Sequence, residues 1–148
     1  MADRFHRALV ACLLLLLAST AFAQDEERAY TEGTVTAVSF VKIKPGMFDA
    51  YMRYLQKTYK TIMEEQKKAG VVVSYGIYSA TAHNPHEADL YLTVTYKNWA
   101  AFDTLTDASE VVTKKVWGSL SKSDAAAIDR EKLREILGSE VIQELVLK

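Results

Sequence analysis

Cysteine is almost absent from this sequence, and the only one is Cys12 near the amino terminus. It lies in residues 1–23, MADRFHRALVACLLLLLASTAFA, where a short basic head and an apolar run precede Ala21-Phe22-Ala23. This pattern is typical of a secretory signal peptide with its cleavage motif, and the apolar run is shorter than the roughly 20 residues of a membrane span. Cleavage would remove the cysteine, which excludes disulfides, a thiolate nucleophile and cysteine-ligated metals. We therefore expect an extracytoplasmic protein, periplasmic or secreted.

Neither sign of charge dominates the chain, and the sequence has no block of basic residues. Lys and Arg total 18 and Asp and Glu total 19, which gives a formal net charge of −1. The basic side chains are interspersed with acidic ones. Such a surface lacks the clustered positive charge that binds nucleic acid or anionic lipid. We therefore expect neither nucleic acid nor, after signal cleavage, a membrane as a partner.

The hydrophobic period changes once in the stretch VSFVKIKPGMFDAYMRYL. Over residues 34–44 a run rich in β-branched side chains alternates as in a strand. Pro45 and Gly46 end this run, because proline cannot donate to a strand ladder and glycine permits a sharp turn. Over residues 47–69 apolar side chains recur at steps of three and four, as in a helix. The stretch therefore predicts a strand, a turn and a long helix.

The rest of the sequence predicts two strands joined as a hairpin, a second helical segment beginning after Asn98, a further helix beginning at Ser123 or Asp124, and a last strand. These elements cover residues 71–80, 90–97, 99–117, 124–137 and 140–148. The polar residues 24–33 predict a flexible leader, and residues 34–148 are the size of a single domain.

The order of these elements is β-α-β-β-α(α)-β, which predicts an α+β, ferredoxin-like fold. Right-handed crossovers convert this order into a four-stranded antiparallel sheet, 4-1-3-2, with the helices on one face. Alternation in the strands assigns the more aliphatic side chains to the helices. The uncovered face then carries a mixture of aromatic and hydroxyl side chains: Phe40, Ser74, Gly76, Tyr78, Tyr91, Thr93 and Thr95.

Several segments resemble the dimeric α/β-barrel superfamily. They are the strand exit KIKPG, the long helix with Tyr51 and Tyr54, and YKNWAAFD after the third strand. The superfamily includes antibiotic-biosynthesis-type monooxygenases, haem-degrading enzymes and stress-responsive barrels. In these families two ferredoxin-like subunits pack their open sheet faces into a barrel with an internal cavity. The resemblance therefore implies a homodimer, and it covers most of residues 34–148.

Aromatic and hydroxyl side chains are the candidates for contacts with a ligand in such a cavity. Rings stack on flat apolar molecules and hydroxyls orient them. The candidate ligand-binding residues are Tyr54, Tyr78, Tyr91, Thr93 and Trp99. The same side chains are also typical of dimer interfaces, so packing is the alternative interpretation. Tyr51, Tyr59 and Trp117 are interpreted as core residues.

Metal and cofactor sites have little support in the sequence. His83 and His86 form an H-x-x-H pair that could hold Zn²⁺ or Cu²⁺ with Glu87, but Asn84-Pro85 between them is typical of an exposed hairpin tip. The predicted helices contain no histidine, in contrast to haem-handling members of the superfamily. No cofactor is predicted.

Three functions are compatible with these patterns. The protein binds a small apolar or aromatic molecule between the sheets, or it is a cofactor-independent monooxygenase or isomerase using the same cavity, or it is a dimer that serves partner contacts without a ligand. Binding is favoured over catalysis, because the sequence arranges no catalytic acid, base or metal ligands around the proposed cavity.

Overall fold

A computed structural model describes residues 27–148 of the chain. The predicted signal peptide lies outside the described residues. The elements, in chain order, are β1 (Tyr30–Ile43), α1 (Phe48–Tyr54), a π-helical turn (Leu55–Tyr59), α2 (Lys60–Lys68), β2 (Ser74–Ser79), β3 (Leu90–Tyr96), a 3₁₀ helix (Trp99–Phe102), α3 (Leu105–Trp117), α4 (Leu120–Arg130) and β4 (Arg134–Leu147). None of the helices between residues 27 and 148 has the length and apolar character to span a membrane.

The four strands form one antiparallel sheet in the order β2-β3-β1-β4. This is the predicted order 4-1-3-2 counted from the opposite edge. The two central strands are in register along seven residues, with Val38 opposite Thr93 and Phe40 opposite Tyr91. The α+β, ferredoxin-like fold inferred from the element order is therefore confirmed.

The helices cover the face of the sheet that was predicted from strand alternation. The central cluster contains Val41 and Leu90 from the sheet and Tyr51 and Leu55 from the first helical segment, each at most 2% exposed. Leu92 packs against this cluster, whereas its neighbour Tyr91 points to the other face and is 38% exposed. The second face of the sheet is therefore not covered by the helices between residues 27 and 148.

The strand–Pro–Gly–helix joint is a corner of this scaffold. The Met47 amide donates to the Lys44 carbonyl at 2.9 Å and closes the turn, and Gly46 has a φ of +75°, which a side chain would strain. Asp89 fixes the adjacent end of β1: its carboxylate accepts from the Ile43 amide at 2.7 Å and from Lys42 Nζ at 2.9 Å. These contacts are structural.

Asp89 makes the stability of this corner dependent on pH. Burial alone would raise the pKa of its carboxyl, but the hydrogen bonds from Ile43 and Lys42 outweigh burial and hold the pKa below its ordinary value of 3.8. The group therefore stabilises the fold above that value, and its contribution is lost as the pH falls through the lowered pKa.

We expect Asp89→Asn to lower the free energy of unfolding by about 1–2 kcal/mol at pH 7, because hydrogen bonds to a charged acceptor are stronger than those to an amide oxygen. Urea unfolding at pH 7 and pH 3 measures this loss, which should shrink at the lower pH. Asp124→Asn, on the exposed surface of α4, is the matched control and should change stability by less than about 0.5 kcal/mol. An equal loss in both variants would contradict the prediction.

Three element boundaries differ from the sequence-based prediction. β1 begins at Tyr30, inside the segment predicted as a leader, because residues 30–32 pair with the end of β4. α3 begins only at Leu105, after the short 3₁₀ helix, and Asn98 makes no capping hydrogen bond through its side chain.

The third difference concerns the last helix and strand. α4 begins at Leu120, with Ser119 as its cap, and ends at Arg130 rather than Leu137. Residues 134–136 belong to β4, because they pair with the carboxy-terminal end of β1. This strand pairing outweighs the helical spacing of their side chains along the sequence. The expected helix over 131–137 is therefore wrong, and Arg134 lies on the sheet.

Candidate functional site

A cavity of about 400 Å³ lies between the sheet and the helices, on the covered face. Its lining combines aromatic rings, hydroxyl groups, two arginines and a few aliphatic side chains. The lining residues are Ser39, Tyr51, Tyr54, Tyr59, Ile62, Met63, Leu92, Thr113, Trp117, Ser123, Arg130, Arg134, Ile136 and Ser139. We call this space the helix-side cavity.

Short side chains in the sheet leave room for the helix-side cavity. On β1, Ser39 lies in register with Leu92 of β3 on one side and with Ser139 of β4 on the other. A closely packed layer would have large aliphatic side chains at such central positions. Ser139 and Ile136 are exposed, which places the mouth of the cavity along β4.

The first helical segment supplies three tyrosines to the helix-side cavity. The rings of Tyr51 and Tyr54, one turn apart on α1, are stacked with their centroids 6.0 Å apart and their planes 9° apart. Tyr59 comes from the π-helical turn that follows. A π-helical turn contains an extra residue, so it rotates the side chains that follow relative to those before it, and such turns are frequent at functional sites. The turn thereby brings Tyr59 to the same cavity as Tyr51 and Tyr54.

Two arginines border the helix-side cavity from the other end of the chain. Arg130, the last residue of α4, donates from Nη1 to the hydroxyl of Tyr54 at 3.0 Å and lies 5.3 Å from the centroid of that ring. Arg134, the first residue of β4, is buried and donates from Nη1 to Glu131 Oε1 at 2.7 Å. Both guanidinium groups carry a positive charge at any physiological pH.

Burial keeps the three phenols protonated. It raises the pKa of Tyr51, although the Arg134 guanidinium beside it opposes the rise. It likewise raises the pKa of Tyr54 against the opposing effect of Arg130, and it raises the pKa of Tyr59 well above the usual range for tyrosine. At neutral pH the site therefore offers phenol O–H groups and guanidinium N–H groups as hydrogen-bond donors.

The structure does not bring the five candidate ligand-binding residues together. Tyr54 lines the helix-side cavity, on the covered face. Tyr78, Tyr91 and Thr93 lie on the open face, where Tyr78 is opposite Tyr91 in the register of β2 and β3. Trp99 lies at neither place. The predicted cavity would lie between the sheets of two subunits. That all five residues line such a cavity therefore stays a prediction.

The open face is a partly apolar surface. Phe40 and Tyr91 pack edge to face with centroids 5.4 Å apart, and Tyr78 and Ile142 are 57% and 50% exposed. The hydroxyl oxygens of Thr36 and Thr95 lie 3.0 Å apart and satisfy each other. This face could pack against another apolar surface without leaving those two hydroxyls unpaired.

Trp99 lies in a separate depression of about 550 Å³ near the far end of β4. Its Nε1 donates to Gln143 Oε1 at 3.0 Å, and its ring packs against Phe102 with centroids 5.6 Å apart. Polar residues such as Lys97 and Glu144 line the same depression. The half-exposed ring of Trp99 therefore connects the 3₁₀ helix to the sheet edge.

The histidine loop has its own hydrogen-bond network. Glu87, the suggested third ligand, accepts from the amide of His83 at 2.6 Å and from Asn84 Nδ2 at 2.5 Å, while Asn84 Oδ1 accepts from the amide of His86 at 2.9 Å. Both imidazoles lie on exposed residues. Within the described part of the chain, no three or more His, Cys, Asp or Glu residues cluster as metal ligands.

The sequence interpretation missed most of the helix-side cavity. Tyr51, Tyr59 and Trp117 were assigned to the core; Tyr51 does belong to the central cluster, but all three also line the cavity, which the assignment did not indicate. Arg134 was placed in a helix, where an arginine needs no explanation. A correct β4 boundary would have put this arginine on the covered face next to Ile136, and a buried arginine among apolar residues is a signal for a site.

The fold is ferredoxin-like, as comparison with solved structures shows. HapK from Hahella chejuensis matches with a TM-score of 0.50 and 13% identity, over 74% of this chain and 91% of HapK. A dimeric ferredoxin-like protein from an uncultured marine organism matches with the same TM-score and identity, over 80% of this chain and 98% of its own. No protein-family model matches the sequence, and no curated protein does.

Proposed function

We propose that this protein is an exported homodimer that binds a small planar, aromatic molecule in the helix-side cavity of each subunit. The observation that carries the proposal is the cavity of about 400 Å³, whose lining combines tyrosine and tryptophan rings with a small number of polar groups. Pockets of this size and composition are typical of small-molecule sites. Flat apolar ligands stack on such rings, and the hydroxyl and guanidinium groups orient them.

The proposed site differs in position from the cavity expected between two sheets. The helix-side cavity is lined within one chain, so it needs no second subunit. Of the five candidate ligand-binding residues, only Tyr54 lines the helix-side cavity.

Binding is favoured over catalysis because the lining of the helix-side cavity supplies no general base. Among residues 27–148, none that lines the cavity is Asp, Glu or His, and burial raises the pKa values of the three tyrosines. A proton-abstracting group needs a pKa near the working pH. The described residues of the cavity therefore suit recognition of a molecule rather than proton abstraction.

The homodimer is supported by two observations. One of the similar solved structures is described as dimeric. The open face of the sheet, with Tyr78, Tyr91 and Ile142 partly exposed, is an apolar surface that a second copy of the same face would remove from water. A two-fold axis through this face would give each subunit the same contacts.

Titration of the Trp99→Phe variant tests the proposed function. The chain has two tryptophans, so in this variant Trp117, which lines the helix-side cavity, is the only fluorescent indole. The probes are naphthalenes that carry a hydroxyl, a carboxamide or a carboxylate at position 2. We expect saturable quenching of Trp117 by at least one probe. If no probe quenches its emission at millimolar concentration, the proposed function is wrong.

Export is tested separately, by sequencing the amino terminus of the protein recovered from its native host. We expect a chain that begins at Gln24, since Ala21-Phe22-Ala23 fits the cleavage motif. Recovery from the periplasm or the medium should accompany this start. A cytoplasmic chain that begins at Met1 would contradict export.

A further inference from the structure

The charges around the helix-side cavity are of one sign. Arg130 and Arg134 both line it, and the lining residues from the described part of the chain include no acidic side chain. Arg130 donates to a neutral phenol, Tyr54, and the ion pairs found within residues 27–148 do not include it. Its charge is therefore not neutralised by a carboxylate of the described chain.

Arg134 is only partly neutralised. Its side chain is 10% exposed, whereas its partner Glu131 is 61% exposed, so water weakens the attraction of the carboxylate. The guanidinium group of Arg134 has five N–H donors; Nη1 donates to Glu131, and the group also hydrogen-bonds Tyr51. These two partners do not use all five donors, so the group can also donate to an acceptor in the cavity.

We infer that the ligand of the helix-side cavity carries an acidic oxygen group, a carboxylate or an enolate on a planar aromatic body, and that Arg134 binds this group. The inference deepens the proposed function and rests on it. The guanidinium group supplies charge and paired N–H donors. Tyr51, Tyr54 and Trp117 supply the ring surface for the aromatic body.

The test compares two probes of the same shape in the Trp99→Phe background. At pH 7, 2-naphthoate is an anion and 2-naphthamide is its neutral counterpart, and Trp117 emission reports both. We expect 2-naphthoate to bind about tenfold more tightly or better, which is the effect of one charge-assisted hydrogen bond. Equal affinity of the two probes would overturn the inference and leave the proposed function in place. Failure of both probes and of 2-naphthol would overturn the proposed function itself.

Two variants locate the acidic group. Arg134→Gln should abolish the preference for 2-naphthoate while it keeps the affinity for 2-naphthamide within about threefold. Arg130→Gln serves as a second variant if Arg134→Gln does not fold, and should reduce the same preference. An unchanged preference in the folded arginine variant would overturn the inference.

Discussion

Ile142→Asp should convert the proposed homodimer into a monomer. Ile142 is 50% exposed on the open face, opposite Thr36 in the register of β1 and β4. In a dimer formed by two such faces, the variant would bury a carboxylate in each subunit without a partner, which costs several kcal/mol per charge. We expect the dissociation constant to rise by about 100-fold or more. Light scattering and analytical ultracentrifugation at micromolar concentration measure the change.

The matched control for this experiment is Val111→Asp. Val111 is 70% exposed on α3, away from the sheet, and the change has the same chemistry: an exposed aliphatic side chain becomes an aspartate. The control should remain dimeric. A wild-type chain that is already monomeric at these concentrations would contradict the homodimer. If both variants dissociate, the charge on the open face is not the cause of the dissociation.

The same variant distinguishes the two possible positions of the ligand site. The helix-side cavity is lined by one chain, so a folded Ile142→Asp monomer should bind the naphthalene probes with unchanged affinity. A cavity between two sheets, lined by Tyr78 and Tyr91, would disappear with the dimer. Loss of binding together with loss of the dimer would therefore favour the site that the sequence first indicated.

Ser39→Leu should abolish probe binding and leave the fold intact. Ser39 lies at the middle of β1 and lines the helix-side cavity between Leu92 and Ser139. A leucine at this position would occupy space in the cavity, and its burial should offset the lost hydroxyl. We expect an affinity at least about tenfold lower, with a free energy of unfolding within about 1 kcal/mol of the parent protein.

Ser121→Leu, at an exposed position on α4, is the control for this prediction. It introduces the same side chain outside the cavity and should leave probe affinity unchanged. Trp117 fluorescence in the Trp99→Phe background measures the probe affinity of both variants, and urea unfolding measures their free energy of unfolding. If a folded Ser39→Leu protein binds the probes with the affinity of the parent protein, the probes occupy another surface.

Much of the fold could be predicted because its signals are local. Alternation along Leu90 to Tyr96 determined which face of β3 the helices cover, and the structure confirms that assignment through the buried Leu90 and the exposed Tyr91. The Pro45-Gly46 turn could be predicted for the same reason, since proline and glycine restrict the backbone wherever they occur.

The helix-side cavity could not be predicted because its residues come from distant parts of the chain. Tyr59 reaches it through a π-helical turn that a regular helical period does not reveal, and Arg134 reaches it because β4 starts four residues after α4 ends. The pairing of Arg134 with Ile43 overrides a local helical pattern, which is a long-range effect. The sequence-based candidates Tyr78, Tyr91 and Trp99 do not line this cavity.

The sequence by itself determined the element order and hence the sheet with one uncovered face, because periodicity and turn residues act over a few neighbouring positions. Only the tertiary structure decided where space remains inside the protein. A cavity is the volume that side chains from different elements fail to fill, and Ser39, Ser139 and the tyrosines of the first helical segment meet only after folding. The spacing of residues along the chain does not reveal that volume, so the arginine-lined site could be identified only from the three-dimensional structure.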